Sequence, residues 1–408
     1  MSERNIVHNR TKIDIVALTL LITAEICFYR VGTLSLYFIM TGFGVIVGLF
    51  VVGIRYMNRM VNVRRVPIWL ISIYGMFFIN GIFRLQTGTF TWDTLLYRFI
   101  ENLAIYYLVK DIVKDNYSKI AFPFIISGVI SFGYLLMTEG RLLLSGYSRI
   151  GNLMSGNVNT VGYNFGIASM FTMWWYCHEK KWYKFILFLL FSFVMLLTGS
   201  KKVLIILLLD FILLFMYDRG HAGRWLKFGI AFVAVAYLLF NIPLFYDVMG
   251  HRVEAMISTL LYGSNTSLYS YSTDVRDIMI EEGIKLFLNK PVFGGGWAYF
   301  YANTSTSYSY SHSNYVELLC SFGVVGTLIY YNKHISNIAF SFKKLWNSKF
   351  GEKKIIFPFI LMITVILLDL AAISFSSVCV WYIPLICASV MLEEIRFSRH
   401  IKQVDSIE

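Results

Sequence analysis

Apolar runs of roughly 17–22 residues recur along the entire chain, and this constrains the fold more than any other feature. Each run is long enough, as a helix, to cross a hydrocarbon layer of about 30 Å. Composition agrees: 57% of the 408 residues are hydrophobic and only 15% are charged, too little charge to cover a soluble protein of this length. The pattern predicts an all-α multi-pass membrane protein, a single polytopic domain over 1–408. Helices are predicted at 13–29, 33–54, 66–83, 95–109, 120–137, 158–177, 185–198, 203–217, 228–246, 314–331, 355–372 and 378–394. No signal-peptide cleavage pattern is present, so the first run is expected to remain as a helix.

The net charge of +12 would suggest nucleic acid in a soluble chain; here it reads as the excess of Lys and Arg on cytoplasmic segments. With the N-terminus inside, 25 of the 36 Lys and Arg fall on inner segments and ten on outer ones, with Arg98 inside the fourth helix. Every inner segment is basic. Twelve helices with both termini cytoplasmic is the consistent solution, and no nucleic-acid partner is expected. The cysteines at 27, 177, 320, 379 and 387 all fall in predicted helices and form no Cys-x-x-Cys pair, so neither a disulfide nor a zinc site is expected.

Two outer segments stand out, 138–157 and the much longer 247–313. Long loops in compact proteins are functional or disordered, and the second carries helical periodicity. Val253, Met256, Ile257, Leu260 and Leu261 mark one amphipathic helix over 251–262. A second over 274–288 contains Val275, Ile278, Ile284 and Phe287. Both suit a position on the membrane surface or over the bundle. A turn, Pro291-Val-Phe-Gly-Gly-Gly-Trp297, follows, and then a Tyr/Ser/Thr-rich run over 298–311 suited to sugar binding or to an interfacial aromatic belt.

Outward cations run against the charge bias and therefore call for a reason. Arg149 lies in the first outer segment, Lys201 and Lys202 in a tight turn after Leu197-Thr-Gly-Ser200, and Arg276 at the start of an amphipathic helix. A guanidinium forks onto phosphate oxygens and an ammonium acts as a point charge. Together they would hold a diphosphate; singly, each suits a lipid headgroup. His312 sits where the long outer loop meets a helix. Asn314 and Glu317 have the spacing of a helix-capping pair, so the helix should begin just after His312. A helix N-terminus disfavours a protonated imidazole and favours an anion, which suits a neutral base beside a diphosphate. His251 has no such setting and reads as surface.

Other signals carry less. Gly294-Gly295-Gly296 has no following Gly-Lys-Ser/Thr and is not a nucleotide loop. Asp274 and Asp277 read as a solvated helix face rather than a metal site. Arg98 and Glu101, three apart, are expected to pair inside the bundle. Asp210 and Asp369 are intramembrane carboxylates, functional candidates by position alone.

Four elements in order resemble the O-antigen and capsule polymerase and O-antigen ligase family of membrane glycosyltransferases. They are Arg149, Gly151 and Asn159; Thr198-Gly199-Ser200-Lys201; Arg276 followed by Pro291, Gly294 and Gly296; and His312 running into a helix with Gly323 and Gly326. The resemblance covers about residues 147–330. It departs at the second element, where the family carries arginine and this chain has Lys201 or Lys202, keeping the charge but losing the bidentate fork.

The resemblance implies a metal-independent, inverting transfer at the outer face of a bacterial cytoplasmic membrane, with no cofactor. The donor is an oligosaccharide on undecaprenyl diphosphate. An acceptor hydroxyl attacks the anomeric carbon and the lipid diphosphate leaves. His312 takes the role of general base. Arg149, Lys201 or Lys202, and Arg276 hold the diphosphate, and Asn159, Asn314 and Glu317 support them. A polymerase joins two lipid-linked units; a ligase passes the glycan to a lipid core or a protein. The absence of an extra soluble domain favours the polymerase. Flippase and chain-length-regulating proteins would be partners, beside membrane lipids. A transporter for the lipid-linked glycan is the competing class, although no internal repeat supports it.

Overall fold

The structure, a computed structural model, describes residues 3–28, 34–53, 65–84, 92–144, 150–155, 157–200, 202–217, 267–304, 310–347, 353–375 and 383–391, with positions 230, 237, 241–243, 246 and 254. Among these residues the secondary structure is helical. The helices are α1 (Glu3–Cys27), α2 (Leu34–Ile46, continuing as a π-turn over Val47–Gly53), α3 (Arg65–Arg84), α4 (Trp92–Asp115) and α5 (Ala121–Leu144). A 3-10 turn, Tyr117–Ile120, leads into α5. Then come α6 (Asn152–Ser155), α7 (Val158–Glu179), α8 (Trp182–Leu197), α9 (Lys202–Tyr217), α10 (Ser267–Asn289), α11 (Tyr299–Asn303), α12 (Asn314–Asn347), α13 (Lys353–Asp369) and a helical stretch over 383–391.

Tyr117–Leu142 is both long and apolar enough to cross a membrane; Leu36–Phe50, Ile68–Asn80 and Trp182–Leu197 are shorter apolar helices. Large apolar side chains such as Ile39, Phe50, Ile71, Phe193 and Leu208 stay exposed on their helices.

Two compact units form. One comprises Met1–Leu18, Thr41–Ile120 and Asp274–Glu408; the other comprises Thr19–Met40 and Ala121–Thr273.

In the second unit α7 is the central element, packed by α5, α8 and α9. Its sequence is apolar or small on every face, the pattern of a fully buried helix, and residues from Val161 to Cys177 are mostly buried. Asn157 caps it, accepting from Asn159 N at 2.9 Å. Two glycines set the close approaches: a Cβ on Gly162 would crowd the Thr198 hydroxyl and one on Gly166 would crowd Ile206. Asp210 on α9 accepts from Ser169 on α7 at 2.8 Å, tying the two helices through a buried carboxylate. Phe124 and Phe171 stack at 4.0 Å between α5 and α7.

In the first unit Arg98 and Glu101 pair at 2.8 Å within α4, as their spacing predicts. Asn102 donates to the Tyr74 hydroxyl, joining α4 to α3, and Trp69 donates to Ile329 O at 3.0 Å, joining α3 to α12.

Two expected boundaries change. Of the basic segment 332–354, read from sequence as an inner loop, the part up to Asn347 continues α12 as helix. The outer segment expected over 138–157 is helix at both ends, since α5 runs to Leu144 and α6 and α7 begin at Asn152 and Val158. The amphipathic helix predicted over 274–288 is present as the longer α10. The one predicted over 251–262 lies outside the described residues, apart from position 254.

Candidate functional site

His312 enters α12 in a left-handed backbone conformation, φ +62°, unusual for a side chain with a Cβ. The surrounding bonds hold it there. Ser311 N donates to Glu317 Oε2 at 2.9 Å, and the Ser311 hydroxyl donates to Ser313 O at 3.0 Å. Glu317 N closes the first helical turn onto Ser313 O at 3.0 Å. The imidazole is partly exposed and lies edge-on to the Tyr310 ring, centroids 4.6 Å apart.

The capping arrangement differs from the expected pair. Ser313, not Asn314, holds the cap position, and the buried Glu317 reaches back past it to Ser311. Asn314 is fully buried and does something else. Its Oδ1 accepts from Ser374 N and Phe375 N, both at 2.9 Å, satisfying two amides that follow α13. Its Nδ2 donates to the Tyr331 hydroxyl at 2.8 Å and to Asp369 Oδ2 at 3.2 Å. Tyr331 also donates to Asp369 at 2.7 Å. The buried carboxylate Asp369 thereby gains a place, fastening the start of α12 to the end of α13.

The glycine-rich turn proves to be a splice into a broken helix. α12 breaks at Gly323, φ +64° and ψ −168°, a backbone region open essentially to glycine alone. The break frees two carbonyls and two amides, and the turn takes up all four. Gly295 N and Gly296 N donate to Cys320 O and Ser321 O, both at 2.8 Å. Val324 N and Val325 N donate to Pro291 O and Val292 O at 2.8 and 3.1 Å. Left unmade and buried, each would cost about 1–3 kcal/mol. A Cβ on Gly294 would meet the backbone of Ser321 and Phe322, and one on Gly323 would meet the Val292 carbonyl.

This splice fixes where Arg276 lies. Pro291 pairs with Val324 and Val292 with Val325. Gly283 faces Val316 at the same offset of 33 residues. Met279, Phe300 and Cys320 pack together beneath α10, with Val275 and Val316 against them, and Cys320 Sγ donates to Gly283 O at 2.7 Å. α10 therefore runs parallel to the first half of α12. On that register Met279 is level with His312, and Arg276 lies about one turn, ~5 Å, further out. Arg276 is exposed. The first unit thus brings Arg276, His312, Asn314 and Glu317 to one end.

The second unit brings two other motif segments together. Ile150 N donates to Leu197 O at 3.4 Å, so the residue after Arg149 touches the end of α8. Thr198 caps α8 through its hydroxyl to Met195 O at 2.7 Å, Gly199 turns the chain at φ +61°, and Ser200 O accepts from Val203 N to start α9. Thr198, Gly199 and Ser200 thus build the turn that leads to Lys202, the partly exposed first residue of α9. Asn159 lies in the first turn of α7. Arg149 and Lys201 are outside the described residues. Gly151, at φ +106°, has no room for a Cβ because Val161 fills the space.

One buried residue was missed from sequence. Glu139 on α5 is 1% exposed, and its two carboxylate oxygens accept from Gly151 N at 2.5 Å and Met154 N at 2.9 Å. Among the described residues no group of three or more His, Cys, Asp or Glu side chains gathers as a metal site would require. Cys27, Cys177, Cys320 and Cys387 are buried thiols; Cys379 is outside the described residues.

No curated protein matches the chain. Residues 185–331 match a family model described as O-antigen ligase. That stretch contains the Thr198–Lys202 turn, Arg276, the Pro291–Gly296 splice and His312, and it leaves out Arg149 and Asn159. The match over residues 185–331 is consistent with the O-antigen polymerase and ligase family that the ordered motifs resemble.

Proposed function

We propose that the chain is a glycosyltransferase polymerising undecaprenyl-diphosphate-linked oligosaccharide units into O-antigen or capsular polysaccharide at the outer face of the bacterial cytoplasmic membrane. Proteins of this family are membrane proteins and glycosyltransferase-like enzymes of O-antigen processing. The observation that carries the reading is His312, held in a left-handed conformation by Glu317 and Ser313 at the end of the unit that also bears Arg276. Holding a non-glycine residue there costs about 1–3 kcal/mol, which the surrounding bonds sustain.

In this mechanism His312 removes the proton from an acceptor sugar hydroxyl as that oxygen attacks the anomeric carbon. The bond to the diphosphate breaks and the lipid diphosphate departs with the electron pair. Arg276 meets the charge that develops on it, together with Arg149 and Lys201 or Lys202. The α9 N-terminus supports the lysine assignment: cations on the first turn of a helix are opposed by its dipole, and a bound anion relieves that opposition. Asn159, Asn314 and Glu317 support this chemistry by shaping the segments on which the reacting groups sit. Twelve spans with both termini inside, the arrangement the charge count favours, put His312 and the four cations on the outer side. No metal or cofactor enters the scheme.

The test incubates purified protein in detergent with lipid-linked repeat units and separates the products by length. Wild type should yield polymer, and His312→Ala should lose about 10²–10⁴-fold in rate, the usual contribution of a general base. Equal product from both overturns the assignment of His312. No product from wild type, together with movement of the lipid-linked unit across vesicles, favours a transporter. The ligase reading is the second one, because the matched model is described as O-antigen ligase. A lipid-core acceptor added to the same reaction discriminates: a ligase transfers the glycan to it, and a polymerase extends lipid-linked chains instead.

A further inference from the structure

We propose that Glu139 is a positioning residue for the diphosphate, acting through the backbone of the segment that carries Arg149. The inference rests on the diphosphate reading above. A carboxylate 1% exposed in an apolar unit is costly to bury unless its oxygens are satisfied. Here each oxygen takes one backbone amide, from Gly151 and from Met154. Both donors follow Arg149 closely, two and five residues on. Glu139 thus spans 12 residues to bind backbone rather than a neighbouring side chain.

The surroundings fix the same segment from other sides. Ile150 and Met154 are buried, Ile150 N is bonded to Leu197 O, and Gly151 is pressed against Val161. Residues 150–154 are therefore pinned, directly after Arg149 in sequence and next to the turn that delivers Lys202. Loss of the Glu139 bonds would release that pinning on the α5 side and leave the Ile150 bond alone. The effect on Arg149 is indirect, so it should disappear when Arg149 itself is gone.

The experiment measures binding of undecaprenyl diphosphate to full-length protein in detergent, for wild type, Glu139→Gln, Arg149→Ala and the double variant. Glutamine keeps the volume but replaces one acceptor oxygen with a donor that faces an amide. Glu139→Asp keeps the charge and shortens the reach by one methylene; it carries the test if the glutamine variant does not fold, as judged by its thermal midpoint. Wild type should bind, and Arg149→Ala should bind more weakly. Glu139→Gln alone should weaken binding about tenfold, and should add nothing in the Arg149→Ala background. In turnover assays the loss should appear in KM for the donor rather than in kcat. A variant that binds as wild type does, or a loss equal in both backgrounds, overturns the positioning role while leaving the diphosphate reading intact. Wild type that binds no undecaprenyl diphosphate overturns both.

Discussion

Asn314 shows how a residue chosen for one task from its spacing performs another. As a cap it would serve its own helix. Buried, it spends all its bonding capacity on others: two amides after α13, the Tyr331 hydroxyl and Asp369. Asn314→Ala would leave both amides unpaired in the interior, at about 1–3 kcal/mol each. Thermal unfolding in detergent should shift downward by several degrees, and activity should fall with the folded fraction. The sequence could flag Asn314 by type and place, as it flagged His312 and Arg276, because cations and imidazoles at loop ends are conspicuous. It could not flag Glu139, whose partners are backbone amides and leave no trace in residue identity. Asn157 went unnoticed for a related reason: beside Asn159 in a polar stretch, either asparagine fits a cap by composition.

Among the elements, the long apolar runs were legible and the break in one of them was not. Gly323 sits in an apolar run that reads as continuous helix, and glycine is tolerated there at a modest cost. What the run conceals is a junction completed by residues 291–296, which are distant in sequence. The extension to Asn347 was hidden by Lys333, Lys343 and Lys344, which made a helix look like a loop. Gly323→Ala tests the junction. The substituted backbone would either straighten into continuous helix, expelling the turn, or keep a strained φ with a Cβ against the Val292 carbonyl. Either way proteolysis between α10 and α12 should accelerate. Polymer formation should fall to background, although no group proposed to touch substrate has been changed.

At the scale of the whole molecule, the division into two units had no counterpart in the sequence, because each unit is assembled from separated stretches. The distribution of charge carries its own prediction at this scale. Lys285, 68% exposed on α10, should fall outside if the basic segments mark the cytoplasm, and Lys180 in the α7–α8 turn should fall inside. In a cysteine-free background, Lys285→Cys should react with an impermeant maleimide on intact spheroplasts, and Lys180→Cys only after permeabilisation. The opposite pattern would invert the sidedness and remove His312 from the outer face.

The splice at Gly323 also has a mechanical meaning. Four backbone bonds, each about 1 kcal/mol net, join the turn after α10 to the two halves of α12, with Cys320 and Gly283 bonded alongside. A hinge placed there would have to break the bonds together, so α10 and the first half of α12 behave as one stiff lever. On the polymerase reading proposed above, a polysaccharide lengthening beside this lever could not be accommodated by swinging it aside. The growing chain would then have to thread past a wall that keeps its shape from one addition to the next.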